Sequence, residues 1–451
     1  MKNPGTFYLF VALLLTIALP CRAQVTDIVL DPTPGGNPCT GIVLTKNIGF
    51  FTSDTALSVI VGRGESSTYE TSLQRTLHRV LPIIFGREAS CSGKGGIYLE
   101  NSSTGDINGP WRRSLIDEPV DSYERAIPFT YGGDTYPGII ISNGHANKTT
   151  WYHQPKNGGG NPLNPWTSVQ LIASRSCHDI HLADIDGDDK LDVVCSSGGK
   201  ESTTNGYIAF QNAPNSWDEH DGITPKVGDG VGVVYINGIP DIVSAYRDGN
   251  VYLYWNPRND GQNARTTPWK AFVIGPGVDG NSIEGGNLGG TPVVYECSNE
   301  ETWTHGCAVL FPNGTNYKSA WKFVDVDPTY RAVHEINGSY LLQGKDAYTG
   351  SGSNLTPAAP IFLNGFIAAE QEQVSSACNS GGYNDHPSIS GCRVTYFRWN
   401  GGTSFTPELI FNLGTQDQSV FPYGKQLAVV GSNHNYYNAK DIALHMWLIN
   451  P

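Results

Sequence analysis

Charge is scarce in this chain. Asp, Glu, Lys and Arg make up 16% of 451 residues, and the balance leans acidic, to a formal −13 at pH 7. That sign argues against nucleic acid and anionic membranes as partners. Long apolar runs are missing as well: after Phe7 to Leu19, no stretch reaches the roughly 18 apolar residues that a membrane span needs. No Gly-x-Ser-x-Gly elbow, His-Glu-x-x-His pair, GxxxxGK loop or dinucleotide fingerprint stands out, so the commonest hydrolase, zinc and nucleotide signatures give no lead. What is plentiful is Gly (53), Pro (28) and aromatic residues (11%), a composition that predicts a turn-rich all-β protein.

Lys2 precedes the apolar run Phe7 to Leu19, and Cys21-Arg22-Ala23 offers a signal-peptidase site, so residues 1–23 are expected to be a signal peptide and the protein to be secreted. Of nine cysteines, Cys21 falls in that segment. The other eight predict four disulfides in an exported chain, simplest as Cys39 with Cys91, Cys177 with Cys195, Cys297 with Cys307 and Cys378 with Cys392. Sequons at Asn101, Asn147, Asn313, Asn337 and Asn354 each predict a surface loop.

Trp111, Trp166, Trp217, Trp269 and Trp321 are separated by 55, 51, 52 and 52 residues. A β-rich aromatic run precedes each of them and an apolar pair of strands follows, so each unit supplies four short strands. A repeated four-stranded unit of this length predicts a propeller blade. The spacing breaks after Trp321 and resumes at Phe405, which places a loop insertion at about 345–391 within one domain, residues 24–451. The expected fold is a seven-bladed β-propeller, closed by joining N- and C-terminal strands (Val25 to Leu30 with Gln426 to Val430 and Ile442 to Leu448), with eight blades as the alternative because Gly41 to Val61 also reads as strands. Closure leaves no exposed sheet edge.

Asp184-Ile-Asp186-Gly187-Asp188-Asp189-Lys190-Leu191-Asp192 places carboxylates at positions 1, 3, 5 and 9 of one tight loop. A hard cation takes six to eight oxygens, and such a loop wraps four carboxylates and a backbone carbonyl around it. The expected ligands of one Ca2+ are Asp184, Asp186, Asp188 and Asp192 with the Lys190 carbonyl. The flanking runs are too short for the helices of an EF-hand, so the loop joins two strands. The stretch from Trp166 through His178-Asp179 and this loop to Val194 resembles the FG-GAP or VCBS-type propeller repeat, in one full copy with degenerate echoes elsewhere. The resemblance implies that the loop joins the two inner strands of a blade, on the face opposite the usual ligand site, and that the ion is structural. Asp189 departs from the glycine common there, but Asp tolerates the left-handed conformation.

In a propeller the turns leading into the innermost strands converge on one mouth of the channel, together with the loops after the second strands. The first set carries Tyr123, Arg125, His178, Asp179, Glu284, Tyr330 and Arg331; the second carries His145, Tyr246, Arg247 and Lys345. These polar tips do not repeat from blade to blade although the frame does. One composite site is therefore expected, rather than the repeated sites of a multivalent lectin. His153, Trp151 and His181 fall within strands and read as packing residues.

The chain also resembles secreted fungal propeller polysaccharide lyases that remove rhamnose capping glucuronate on arabinogalactan-type chains. That resemblance implies β-elimination on an acidic polysaccharide by a monomer. Arg331 or Arg247 would bind the carboxylate, His178 or His145 act as base, and Tyr330 or Tyr246 as proton donor. Tyr123, Arg125, Asp179, Glu284 and Lys345 would bind substrate. A single-site lectin-like protein and a glycoside hydrolase using acids such as Glu284 are the alternatives.

Overall fold

The computed structural model describes residues 25–31, 42–49, 58–64 and 96–102, and then 106–450 with interruptions, the longest at 197–205, 298–305, 371–392 and 433–443. The described strands form seven four-stranded antiparallel sheets and one two-stranded ribbon. The first sheet is β2 to β5 (Ile42–Gly49, Ser58–Gly64, Gly96–Ser102, Trp111–Asp117) and the second β6 to β9 (Ala126–Phe129, Gly138–Ile141, Thr149–His153, Thr167–Ile172). Then come β10 to β13 (Ile180–Ala183, Asp192–Cys195, Tyr207–Ala213, Ser216–His220) and β14 to β17 (Gly232–Ile236, Ile239–Tyr246, Asn250–Trp255, Lys270–Pro276). The fifth is β18 to β21 (Ile283–Leu288, Thr291–Cys297, Cys307–Phe311, Lys322–Asp327). In the sixth, β22 (Val333–Tyr340) pairs with β25 (Ile361–Glu370), then β26 (Val394–Gly401) and β27 (Ser404–Phe411), the ribbon β23 and β24 (Tyr348–Thr349, Thr356–Pro357) lying between β22 and β25. The last sheet joins β28, β29 and β30 (Gln418–Tyr423, Gln426–Ser432, Leu444–Ile449) to β1 (Thr26–Asp31), so both ends of the chain close the ring. The inner strands β2, β6, β10, β14, β18, β22 and β28 follow one another around the axis, with β28 against β2.

Six described hydrophobic cores fill the spaces between neighbouring blades. Side-chain packing is described for six blades against the seven expected, because strands β2 to β4 are traced by their registers alone. A second correction concerns the expected insertion at 345–391. It contains β25, the second strand of its blade, so the additional chain falls in two connections, on either side of Ile361–Glu370.

The tryptophan period has a local cause. Trp111, Trp166, Trp269 and Trp321 each donate the indole N–H, at 3.0 to 3.1 Å, to a carbonyl four or five residues back, which curls the chain into the outer strand. The backbone amides of Trp166 and Trp321 donate to Ile116 and Ile274, on the outer strand of the preceding blade. One residue type thus shapes a turn and stitches blade to blade.

Cys177 is joined to Cys195 and Cys297 to Cys307, and the second pair bridges directly opposed residues of β19 and β20. Two disulfides fit an oxidising compartment. The other four expected disulfide cysteines and residues 1–23 lie outside the described residues. Among the described residues no helix is long and apolar enough to cross a membrane. The sequons at Asn313 and Asn337 part company. Asn313 sits in an exposed turn, but Asn337 lies on the inner strand β22 and donates from Nδ2 to the Gln418 carbonyl at 3.1 Å, not on a surface loop.

Candidate functional site on the propeller axis

A repeated serine device sets the residues that lead into the inner strands. Ser142, Ser196 and Ser244, all fully buried at or near the ends of the second strands, accept the backbone amides of Arg125, Asp179 and Gly228 at 2.8 to 2.9 Å. In these three blades the chain entering the inner strand is thereby pinned to the second strand, and polar side chains at the starts of the inner strands converge on the axis. Arg125 Nε lies 2.8 Å from Asp179 Oδ1, and Nη2 lies 3.4 Å from Glu335 Oε1. Its Nη1 is 3.4 Å from His181 Nε2, which in turn is 3.4 Å from Glu284 Oε2. Ser339 Oγ donates to Glu284 Oε1 at 3.2 Å, and the Val231 amide donates to Asp179 Oδ2 at 3.0 Å.

Of these groups, Arg125, His181, Glu284, Glu335 and Ser339 wall a cavity of about 110 Å3 together with Asn337, Tyr235 and Phe362, while Asp179 stands behind Arg125. The charged groups stand at the starts of the inner strands. Tyr235 and Phe362, ring centroids 6.2 Å apart, stand at the far end. Burial pushes the Glu284 carboxyl well above the usual carboxylate range, against the pull of Arg125. Burial, reinforced by Arg125, lowers His181 to about 4. Burial thus favours the protonated form of the Glu284 carboxyl and the neutral form of the His181 imidazole.

A prediction follows for His181. Its folded pKa lies below its unfolded value near 6.5, so its stabilising contribution is complete above that pH and is lost as pH falls toward about 4. The loss is on the order of 3 kcal/mol. Denaturant unfolding at neutral pH and at the low end of this window should show His181→Gln losing distinctly less stability than the wild type. Equal losses in both proteins would remove the assignment.

Of the expected site residues, the structure brings Arg125, Asp179 and Glu284 near one another, with His181 between Arg125 and Glu284. His178 is half-buried next to Asp179, but its side chain does not line the cavity; its carbonyl accepts from Ser142 Oγ at 3.3 Å. Tyr246 is half-buried at the end of β15, away from the cavity. Tyr330 is fully buried in the core between the fifth and sixth blades. Its hydroxyl donates to one of the carbonyls of Ala368 and Arg393, each 2.8 Å away, and the Arg393 guanidinium covers its ring. Tyr123, His145, Arg247, Arg331 and Lys345 lie outside the described residues. His181, read from sequence as packing, proves to line the cavity, and Glu335 and Tyr235 were not singled out. The signal for all three was alternation: each follows or precedes a buried apolar residue of an inner strand, as in Ile180-His181-Leu182.

The acidic loop joins β10 and β11, the two inner strands of its blade. It folds on its own carboxylates: Asp184 accepts from the amides of Gly187 (2.7 Å), Asp188 (3.1 Å) and Asp189 (3.3 Å), and Asp188 from that of Lys190 (3.0 Å). Gly187 and Asp189 both have positive φ, 82° and 64°, so Asp189 does adopt the left-handed conformation. A side chain at 187 would also collide with Arg258.

Ligand oxygens of Asp184, Asp186 and Asp188 lie within 4.8 Å of one another, and the Arg265 guanidinium rests on Asp186 as a cationic stand-in. This donor set fits a hard cation. Asp192 does not join that trio. It is fully buried, its two oxygens accept the amides of Ile185 and Gln211 at 2.9 Å, and burial raises it to about 8. In the next blade Asp241 makes the same bracket, accepting the Asn256 amide at 2.6 Å above a plain Asn237-Gly238 turn. Asp192 is thus a blade-building residue, whatever the loop binds.

No known protein family matches the chain, and no curated protein is significantly similar to it. The FG-GAP and lyase resemblances accordingly rest on the residues quoted for them. Among solved structures, the chain is similar to a fungal alcohol oxidase of the AA5 family in complex with copper, with TM-score 0.51, 13% identity, and 95% of this chain and 76% of that one covered. It is also similar to the Dos1 propeller, at TM-score 0.45 and 9% identity over 95% of each chain. The catalytic domain of the Coprinopsis cinerea GH62 α-L-arabinofuranosidase gives 0.35 and 9%, with 96% and 98% covered. At such identities the likeness is of fold alone: this chain is a β-propeller.

Proposed function

We propose that the chain is a secreted, carbohydrate-active enzyme with one reaction site on the propeller axis, where Glu284 donates a proton to a departing sugar oxygen. The observation that carries this reading is the pairing of two carboxyls in unlike surroundings. Glu284 is buried, which raises its carboxyl well above the usual carboxylate range, whereas Glu335, in the same cavity, faces the Arg125 guanidinium at 3.4 Å. Environments that separate two carboxyls in this way divide acid from base, as glycoside hydrolysis requires. Glu335 would serve the water side of the reaction, and Tyr235 and Phe362 would offer a sugar ring an apolar face. Calcium, held by Asp184, Asp186 and Asp188, would have a structural part only.

A second reading, β-elimination at a uronic acid, is favoured by His181, Tyr235 and Arg125 lining one cavity: a base, a proton donor and a cation for the carboxylate. Charge balance places it second. Arg125 already faces Asp179 and Glu335, so the described axial groups offer no surplus positive charge to an anionic sugar. Incubation with a panel of neutral and acidic plant polysaccharides, arabinogalactan included, separates the readings. New reducing ends without ultraviolet absorbance of an unsaturated uronate are expected. Absorbance rising with the ends would turn the reaction to elimination, and neither signal, with saturable binding at one site per chain, would leave a lectin-like protein.

A further inference from the structure

The connection between β16 and β17 grips the acidic loop of the preceding blade from outside. Asn256 Nδ2 donates to the Ile185 carbonyl at 2.9 Å, and Arg258 Nη1 donates to the carbonyls of Asp184 at 3.1 Å and Ile185 at 3.3 Å. Further along the same connection, Arg265 points its guanidinium into the loop. Its Nε pairs with Asp186 Oδ2, Nη2 lies 3.5 Å from Asp188 Oδ2, and Nη1 reaches Asn212 Oδ1 and, at 3.9 Å, Asp218. The guanidinium also lies 4.9 Å from the centroid of the Phe210 ring. Arg265 is therefore held on three sides against two of the three carboxylates that converge.

We propose that Arg265 is a tethered counter-cation of the loop, which competes with calcium for Asp186 and couples metal affinity to the docking of the fourth blade on the third. This rests on the reading of the loop as a calcium site. The physical basis is charge count: a fixed positive charge beside Asp186 and Asp188 lowers the field available to a divalent ion, and loop charge is what tunes calcium affinity. The same charge holds the carboxylates together when no metal does. Opposite signs follow for one substitution, with metal affinity rising and metal-free stability falling.

The test uses the full chain, stripped with a chelator and titrated calorimetrically with calcium chloride, alongside thermal unfolding with and without the metal. Arg265→Gln is expected to bind calcium roughly tenfold more tightly, to melt lower than wild type in chelator, and to recover most of that difference in calcium. Asn212→Ala, which removes one anchor of the guanidinium without touching the loop, should shift affinity the same way by a smaller factor and keeps the test open if the glutamine variant does not fold. Calcium affinity unchanged or weakened in both variants overturns the role of Arg265 while leaving the calcium site standing. No calcium uptake by wild type or variants overturns both.

Discussion

Glu284→Gln is expected to lower turnover by about a thousandfold while the protein stays folded, because a positioned proton donor contributes on the order of 10²- to 10⁴-fold. Glutamine keeps the shape of the side chain and can still accept from Ser339. It cannot release a proton. The stability half of the result has a definite sign. A carboxyl whose folded pKa is raised favours folding in its protonated form, so its native-state cost grows as pH rises from the unfolded value near 4.5 through the folded one. The glutamine variant is neutral throughout and should be no less stable than wild type at pH 7, and more stable as pH climbs. Initial rates on the substrate identified by the panel, with melting curves across pH, check both halves. Turnover within tenfold of wild type would deny Glu284 its role.

Phe366→Ala should produce the largest loss of stability, about 3 to 5 kcal/mol, as for other buried aromatic truncations. Phe366 is fully buried at the middle of a stack, 4.8 Å from the Tyr295 ring on the preceding blade and 4.8 Å from Phe397 on its own. The stack fits because Gly286 and Gly338 carry no side chain: a Cβ at either would enter the Tyr295 ring. Removing the central ring leaves a cavity between two blades with glycine on the flank, where little can collapse to fill it. Phe366→Leu should cost roughly half as much or less. Urea unfolding, read by tyrosine and tryptophan fluorescence, measures both; a cost below about 1 kcal/mol for alanine would mean that this interface relaxes freely.

The frame was legible because it is built from residues whose role recurs from blade to blade. At four of the five tryptophans of the period the indole closes the same turn, and the acidic loop could be placed between strands by its short apolar flanks. A second repeat went unread: Gln154-Pro155-Lys156-Asn157 and Asn256-Pro257-Arg258-Asn259 form matching 3-10 turns before the outer strands. The membership of the axial cluster was legible in part: Arg125, Asp179 and Glu284 were singled out, Glu335 and Tyr235 were not. Sequence reasoning placed the polar groups in the turns entering the inner strands, where Arg125 and Asp179 do stand, but His181, Tyr235, Glu284 and Glu335 stand on the inner strands themselves, where one face of an alternating strand turns to the axis. Tyr330 shows the limit of residue type as a guide. A tyrosine beside an arginine suggests a pocket, but burial among Phe366, Phe397 and Ile336 and a hydroxyl that donates to a backbone carbonyl make it a strut. Asp192 misled in the opposite way, by spacing that suited a ligand at a position already bound to the backbone.

Closure of the ring through β1 and β30 also sets how it would yield to force. The two strands are antiparallel, with Thr26 opposite Leu448 and Asp31 opposite Leu444. Tension applied at Thr26 and Leu448 meets the ladder at one end, so its hydrogen bonds are loaded one pair after another rather than together in shear. Under mechanical load the ring is therefore a zipper: the strand β1 peels first, at low force, and the remaining sheets then part in sequence from an opened seam.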